Sequence, residues 1–228
     1  MRTAVVQQID PEVEARARQT LGISDSAIYQ RVAEVIKDRN LKGGVLVDVG
    51  CGEGQLWPHL SEFFTRYIGV DCLRYESFPA AGEFHRANLD NGQTDLPDNS
   101  ADVVVAVETI EHVENPWAFM RELVRMVKPG GFVIATTPNQ LSFLSLLTLI
   151  VKKRFVSFQD VHYPAHLTAL LEIDLKRIAD AAGLSAVEVR FTQQGRIVLT
   201  AWQYPGFLSR LSPRAFSDNI IVCGRKVK

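Results

Sequence analysis

Apolar and polar positions follow two rhythms along this chain. Short, nearly unbroken apolar runs at 45–49, 67–71, 103–107 and 132–136 are bounded by glycine, proline or acidic residues, and they read as strands buried on both faces. A fifth, less apolar stretch from Phe84 to Asp90 reads as a strand and its exit. Between these runs the apolar residues recur at helical spacing, over 55–64, over 117–127 and from Ile173 to Ala182, where Gly183 ends the turn. Strands alternating with helices predict an α/β domain on a mostly parallel sheet. The segments 186–191 and 219–223 are expected to add an antiparallel pair at one edge.

Three stretches depart from this alternation. Residues 1–42 read as a helical prefix. Asp10-Pro11-Glu12 starts one helix that ends near Gly22, and Ser24 or Ser26 caps a second carrying Ala27, Ile28, Val32, Val35 and Ile36. Residues 140–170 read as a lid-like insertion. It opens with a very apolar run, 141–151, and continues into Lys152-Lys153-Arg154. That run is too short to span a bilayer, and its basic end allows peripheral membrane contact through 141–155. Residues 192–218, with Trp202, Tyr204, Pro205, Phe207 and Phe216, form a long connection suited to walling a pocket.

Composition adds bounds. The 228 residues suit one domain, 1–228, and 46% hydrophobic against 22% charged residues is an ordinary globular balance. A net charge of −1 gives no general attraction to nucleic acid. Cys51, Cys72 and Cys223 form no C-x-x-C pair, and Met1-Arg2-Thr3-Ala4 opens no signal-peptide pattern. The expectation is a reduced, cytoplasmic protein without structural zinc, with any membrane association confined to the inner face.

The first strand ends in Asp48-Val49-Gly50-Cys51-Gly52-Glu53-Gly54. A dinucleotide fingerprint needs its third glycine one residue later, and a P-loop needs a Gly-Lys-Ser/Thr that is absent. Asp71 ends the second strand, 17 residues beyond Gly54, where a carboxylate can accept both hydroxyls of a ribose or cap the next helix. The glycine stretch resembles the first motif of class I methyltransferases that use S-adenosylmethionine (SAM), and Lys128-Pro129-Gly130-Gly131 resembles a recurrent marker of the same family. The resemblance covers about residues 43–190. It implies a Rossmann-like, seven-stranded, mostly parallel sheet with one antiparallel edge strand and helices on both faces. It also implies SAM as cofactor, held by Asp48, Gly50, Cys51, Gly52, Gly54, Asp71, Cys72, Asn88, Leu89 and Val107, with a side chain at Gly52 standing against the ligand. Asn88 occupies the place where the family commonly has Asp for the adenine amino group, and Asp90 stands two residues on, so either can serve. The helical prefix is expected to cover one edge of the pocket, with Tyr29 or Arg31 within reach of the SAM carboxylate or Arg31 solvated.

The second informative stretch, Glu108-Thr109-Ile110-Glu111-His112, follows the fourth strand. In a helix its three ionisable residues would share one face. It resembles the motif of ubiquinone-biosynthesis O-methyltransferases and of enzymes that methylate a terminal 2′-hydroxyl on small RNAs. That resemblance implies a divalent ion, Mg²⁺ or another, on Glu108, Glu111 and His112, with His166 as fourth ligand. Three readings fit the residues: this metal site, a metal-free pocket in which His112 is base or wall beside Glu111, and a structural turn. The functional expectation is methyl transfer from SAM to a hydroxyl of a small or lipid-like acceptor. The alternatives are an RNA 2′-O-methyltransferase, disfavoured by the charge, and a SAM-binding protein without catalysis.

Overall fold

The computed structural model describes residues 11–91, 93–198, 200 and 202–227. Asp10, expected as the first helix cap, lies outside them. The chain folds around one sheet of seven strands. They are β1 (Val45–Val49), β2 (Arg66–Asp71), β3 (Glu83–Arg86), β4 (Ala101–Ala106), β5 (Val127–Pro138), β6 (Leu184–Phe191) and β7 (Asn219–Lys226), in the order β3-β2-β1-β4-β5-β7-β6. The strands β1 to β5 pair in parallel. The strand that reverses direction, β7, lies antiparallel between β5 and the edge strand β6.

Because alternate side chains leave a strand on opposite faces, the central strands feed two cores. Val47 and Val49 of β1 join Val104 and Ala106 of β4 on one face, under α4 (Pro116–Met126) and α6 (Glu172–Ala181). Leu46 joins Val103 and Val105 on the other face, under Ile28, Val32, Val35 and Ile36 of α2 (Ser26–Asp38) and Leu60 of α3 (Trp57–Leu60). This is the doubly wound layering that the alternation of runs predicts.

Local chemistry moved several boundaries. The helix expected over 55–64 is only α3, because Pro58 has no N–H to donate and the flanking turns close by tighter bonds, from Trp57 to Gly54 and from Phe63 to Leu60. Asp25, not Ser24 or Ser26, caps α2, its carboxylate accepting from the Ala27 amide at 2.9 Å. The first helix, α1 (Pro11–Thr20), buries none of its residues and so is no part of either core. The apolar run after β5 forms α5 (Phe143–Lys152), and the connection from β6 to β7 holds a short α7 (Gly206–Leu211). Among the described residues no helix is long and apolar enough to cross a membrane.

Candidate active site

The carboxyl ends of β1, β2, β3 and β4 meet at one cavity. Gly50 lines it after β1, Asp71 and Cys72 after β2, Leu89 and Asp90 after β3, and Val107, Glu108, Thr109 and His112 after β4. Its cover is α1, through Val13, Arg16, Ala17 and Thr20, followed by Gly22, Ile23 and Ser24 of the linker to α2. His166 also lines the cavity. A crevice beyond the strand ends is where open α/β sheets place ligands.

The glycine loop is shaped by close approach. Gly50 has φ +75°, and a Cβ there would stand 2.3 Å from the Thr109 hydroxyl, which lies 3.1 Å from both the Val49 and Val107 carbonyls. Asp71 Oδ2 accepts from the Gly52 amide at 2.8 Å, and Oδ1 from the Cys72 amide at 2.7 Å. Burial pushes the Asp71 carboxyl up, and the backbone N–H groups pull it back toward the ionised form. The residue is thus both a local cap and an acid facing the cavity.

Of the ten residues expected to hold the cofactor, Gly50, Asp71, Cys72, Leu89 and Val107 line the cavity. The others stand outside its lining. Asp48 lies under the loop, accepting from the Tyr67 hydroxyl at 2.8 Å, and burial pushes its carboxyl up to about 7. Cys51 is buried in the second core, and Gly54 packs on Pro79. Asn88 is buried and accepts from the Asp90 amide through Oδ1 at 3.0 Å, while Asp90 itself lines the cavity with its carboxylate on Arg16 and the Glu114 amide. The expectation for Gly52 needs correcting. A Cβ there would meet the Gly22 Cα and carbonyl oxygen, both at 2.5 Å, so the neighbour that forbids a side chain is the linker and not a ligand. Arg31 is committed to Glu34 and to the Phe191 carbonyl, and the Tyr29 hydroxyl accepts from the Ser24 amide at 2.9 Å.

The second informative stretch is not helical. Glu108 takes φ +50°, a left-handed conformation that costs a residue with a Cβ about 1–2 kcal/mol, and the chain then turns through a bond from the His112 amide to the Thr109 carbonyl. The shared helical face is therefore lost. The Glu108 carboxylate accepts from Asn219 Nδ2 at 2.6 Å and is not among the residues that cluster with Glu111 and His112. Glu111, His112 and His166 converge instead, each offering a ligand atom within 4.8 Å of the others.

This trio is held by backbone. His112 Nδ1 donates to the Ala165 carbonyl at 2.7 Å, which fixes the tautomer and leaves Nε2 with its lone pair. The amides of Leu167 and Thr168 both donate to the Glu111 carbonyl, at 2.9 and 3.1 Å, and so pin the His166 segment to the turn after β4. Glu111 is fully buried, and neither carboxylate oxygen has a hydrogen bond of good geometry among the described residues, although the Thr137 hydroxyl lies near enough to favour its ionised form; His166 Nδ1 also has no partner there. Burial raises the Glu111 carboxyl to about 8 and raises the Glu108 carboxyl, which the neighbouring Glu111 charge raises further. Burial and the neighbouring His112 push His166 down to about 4, and burial lowers His112. At neutral pH both imidazoles are neutral, as metal ligands must be, and the acid can exchange its proton for a cation.

Sequence reasoning missed Arg16, Val13 and Thr20 as cavity walls and Thr109 as the floor beneath Gly50. One signal was present. The segment 11–20 has no apolar stripe, so a helix there had no reason to sit on the core.

A family model described as a methyltransferase domain matches residues 23–189. The ubiquinone biosynthesis O-methyltransferase of Bradyrhizobium diazoefficiens is 30% identical over 145 residues, covering 60% of this chain and 56% of that protein. The mitochondrial enzyme of the same name from Dictyostelium discoideum is 28% identical over 134 residues, covering 51% and 41%. The chain spans about half the length of the curated relatives it matches. Among solved structures, a SAM-dependent methyltransferase from Archaeoglobus fulgidus superposes with a TM-score of 0.62 at 16% identity, over 95% of this chain and 100% of that one. A phosphoethanolamine N-methyltransferase from Haemonchus contortus superposes with a TM-score of 0.61 at 16% identity, over 96% and 61%. The chain belongs to the methyltransferase-domain family and has the Rossmann-like fold of class I SAM-dependent methyltransferases.

Proposed function

We propose that this chain transfers the methyl group of SAM to a hydroxyl of a small or lipid-linked acceptor, with a divalent ion held by Glu111, His112 and His166. The observation that carries the reading is the buried Glu111 carboxylate, without a hydrogen bond of good geometry, beside two neutral imidazoles. An isolated buried carboxylate is too costly to stay ionised in an apolar site, and a dication between three such ligands resolves that cost. Its Lewis acidity would lower the pKa of an acceptor hydroxyl, the one activation that oxygen needs and nitrogen does not. Glu108, braced by Asn219, lines the same cavity.

The chain's own groups do the rest. Asp71, with its carboxylate fixed by three backbone amides, faces the cavity where a ribose would be gripped. The cover formed by α1 and the Gly22 linker would shield the reacting groups from water and position the acceptor, and such positioning can supply several kcal/mol of a displacement barrier. The relatives named for ubiquinone biosynthesis support oxygen as the acceptor atom. A metal-free version also has an observation behind it: the free Nε2 of His112 is placed to take a proton.

Transfer of labelled methyl from SAM into fractions of a host extract, with and without EDTA, separates these readings. Label in a small-molecule or lipid fraction that disappears with EDTA supports the metal-assisted reaction. EDTA-resistant label assigns the proton to His112, and label in RNA overturns the choice of acceptor.

A further inference from the structure

The two excursions from the carboxyl edge of the sheet are built inside out. Of the ten residues of α5, only Ser145 is buried, while Phe143, Ile150 and Val151 face solvent, the last two with 68% and 70% of their surface exposed. A helix packed on a soluble core shows the reverse pattern. Val161 and Tyr163 extend the same character beyond α5, and Trp202, Phe207 and Leu211 repeat it in the second excursion. The excursions are joined, because the Phe143 amide donates to the Ala215 carbonyl at 2.8 Å. They also reach the cavity cover, because Gln19 of α1 donates from Nε2 to the Val161 carbonyl at 3.3 Å. Ile23, half exposed, lines the cavity from the linker next to that cover.

Charge says what covers this face. Residues 139–171 carry Lys152, Lys153 and Arg154 against Asp160 alone, and residues 192–218 carry Arg196, Arg210 and Arg214 against Asp218 alone. Each excursion is net positive by 2, in a chain whose net charge is −1, so the remainder is net −5. Lys152 and Lys153 sit exposed at the last turn of α5, where a helix dipole favours cations and an anionic surface would meet them. Arg154, Arg196 and Arg214 are paired with Asp160, Asp218 and Glu172, whereas Lys152 and Lys153 enter no ion pair among the described residues. Apolar side chains flanked by two unpaired lysines match the chemistry of an interfacial helix lying in the plane of an anionic bilayer.

We propose that α5, Val161, Tyr163 and the exposed residues around α7 dock this chain on an anionic lipid bilayer, with the cavity mouth at the margin of the contact. The inference rests on surface chemistry and does not depend on the methyl-transfer reading. It places a lipid-soluble molecule within reach of the cavity by lateral diffusion.

The test is sedimentation of the full chain with phosphatidylcholine vesicles, with and without phosphatidylglycerol. The expected result is binding about tenfold or more stronger to the anionic vesicles, weakened by salt. Two exposed double variants, Lys152→Glu with Lys153→Glu and Ile150→Ser with Val151→Ser, should each lose about tenfold or more while keeping the wild-type melting temperature and SAM affinity. Absence of binding, equal binding to neutral vesicles, or undiminished binding by both variants would overturn the proposal. So would a concentration-dependent dimer in solution that Ile150→Ser dissociates, which would give the face to a second copy of the chain.

Discussion

Gly22 and Gly52 meet backbone to backbone: a Cβ built on either residue falls 2.4 or 2.5 Å from the Cα of the other. Both have positive φ, at +59° and +48°. The contact joins the cover of the cavity to the loop that forms its floor, and neither glycine needs a ligand to explain it. Gly22→Ala should push the linker off the loop and add the cost of a left-handed L-residue, about 1 kcal/mol or more. SAM affinity by calorimetry should fall about tenfold, with the circular dichroism of the core retained. Unchanged affinity would mean that the cover does not contribute to binding.

Asp71 links the same loop to β2. Its Oδ2 satisfies the Gly52 amide, so Asp71→Ala removes a carboxylate facing the cavity and orphans a buried donor. Hydrogen bonds to charged groups contribute about 1.5–3 kcal/mol, so SAM affinity should fall about tenfold or more. Near-wild-type affinity would take Asp71 away from the ribose.

Arg16 and Asp90 form an ion pair, nearly buried on both sides, between α1 and the turn after β3. The pair is a tie from the cover to the sheet, since α1 buries no residue of its own. Arg16→Met should loosen α1, seen as faster proteolysis near residues 11–20 and a several-fold weaker SAM affinity. Equal protection in variant and wild type would show that the Gly22 contact alone holds the cover.

Asp48 gives a pH signature separate from the His cluster. Its ordinary pKa, near 3.8, is raised to about 7 in the fold by burial. Between those values the folded chain binds the proton and the unfolded chain does not, so stability falls as pH rises from about 4 to about 7 and levels off above. The full effect is on the order of 4 kcal/mol. Asp48→Asn should flatten this slope in denaturant melts at a series of pH values. His166, pushed down to about 4, contributes the opposite trend below neutrality, and His166→Gln should steepen the fall. A wild-type slope retained in Asp48→Asn would contradict the burial of that charge.

The sheet was readable from sequence because its central strands are apolar on both faces and end in glycine or acid, as at Val49-Gly50 and Val70-Asp71. What escaped depended on neighbours distant in the chain or on unusual backbone. The Gly22–Gly52 contact joins residues thirty apart, and no local pattern announces it. Glu108 at positive φ broke the helical geometry that would have placed it with Glu111 and His112, while backbone bonds to Ala165 and Glu111 brought in His166. The cluster was thus found with three of its four expected members. The pairing of cover and floor came only from the folded chain.

The decisive measurement is calorimetric titration of Mn²⁺ or Mg²⁺ into metal-free wild-type protein and into Glu111→Gln, near neutral pH. The expected result is one ion per wild-type chain, binding with proton release because Glu111 enters the folded state with a raised pKa, and loss of that site in the variant. Binding that is absent from the wild type, or unchanged in Glu111→Gln, would contradict a metal on Glu111, His112 and His166 and leave the buried carboxylate to another role.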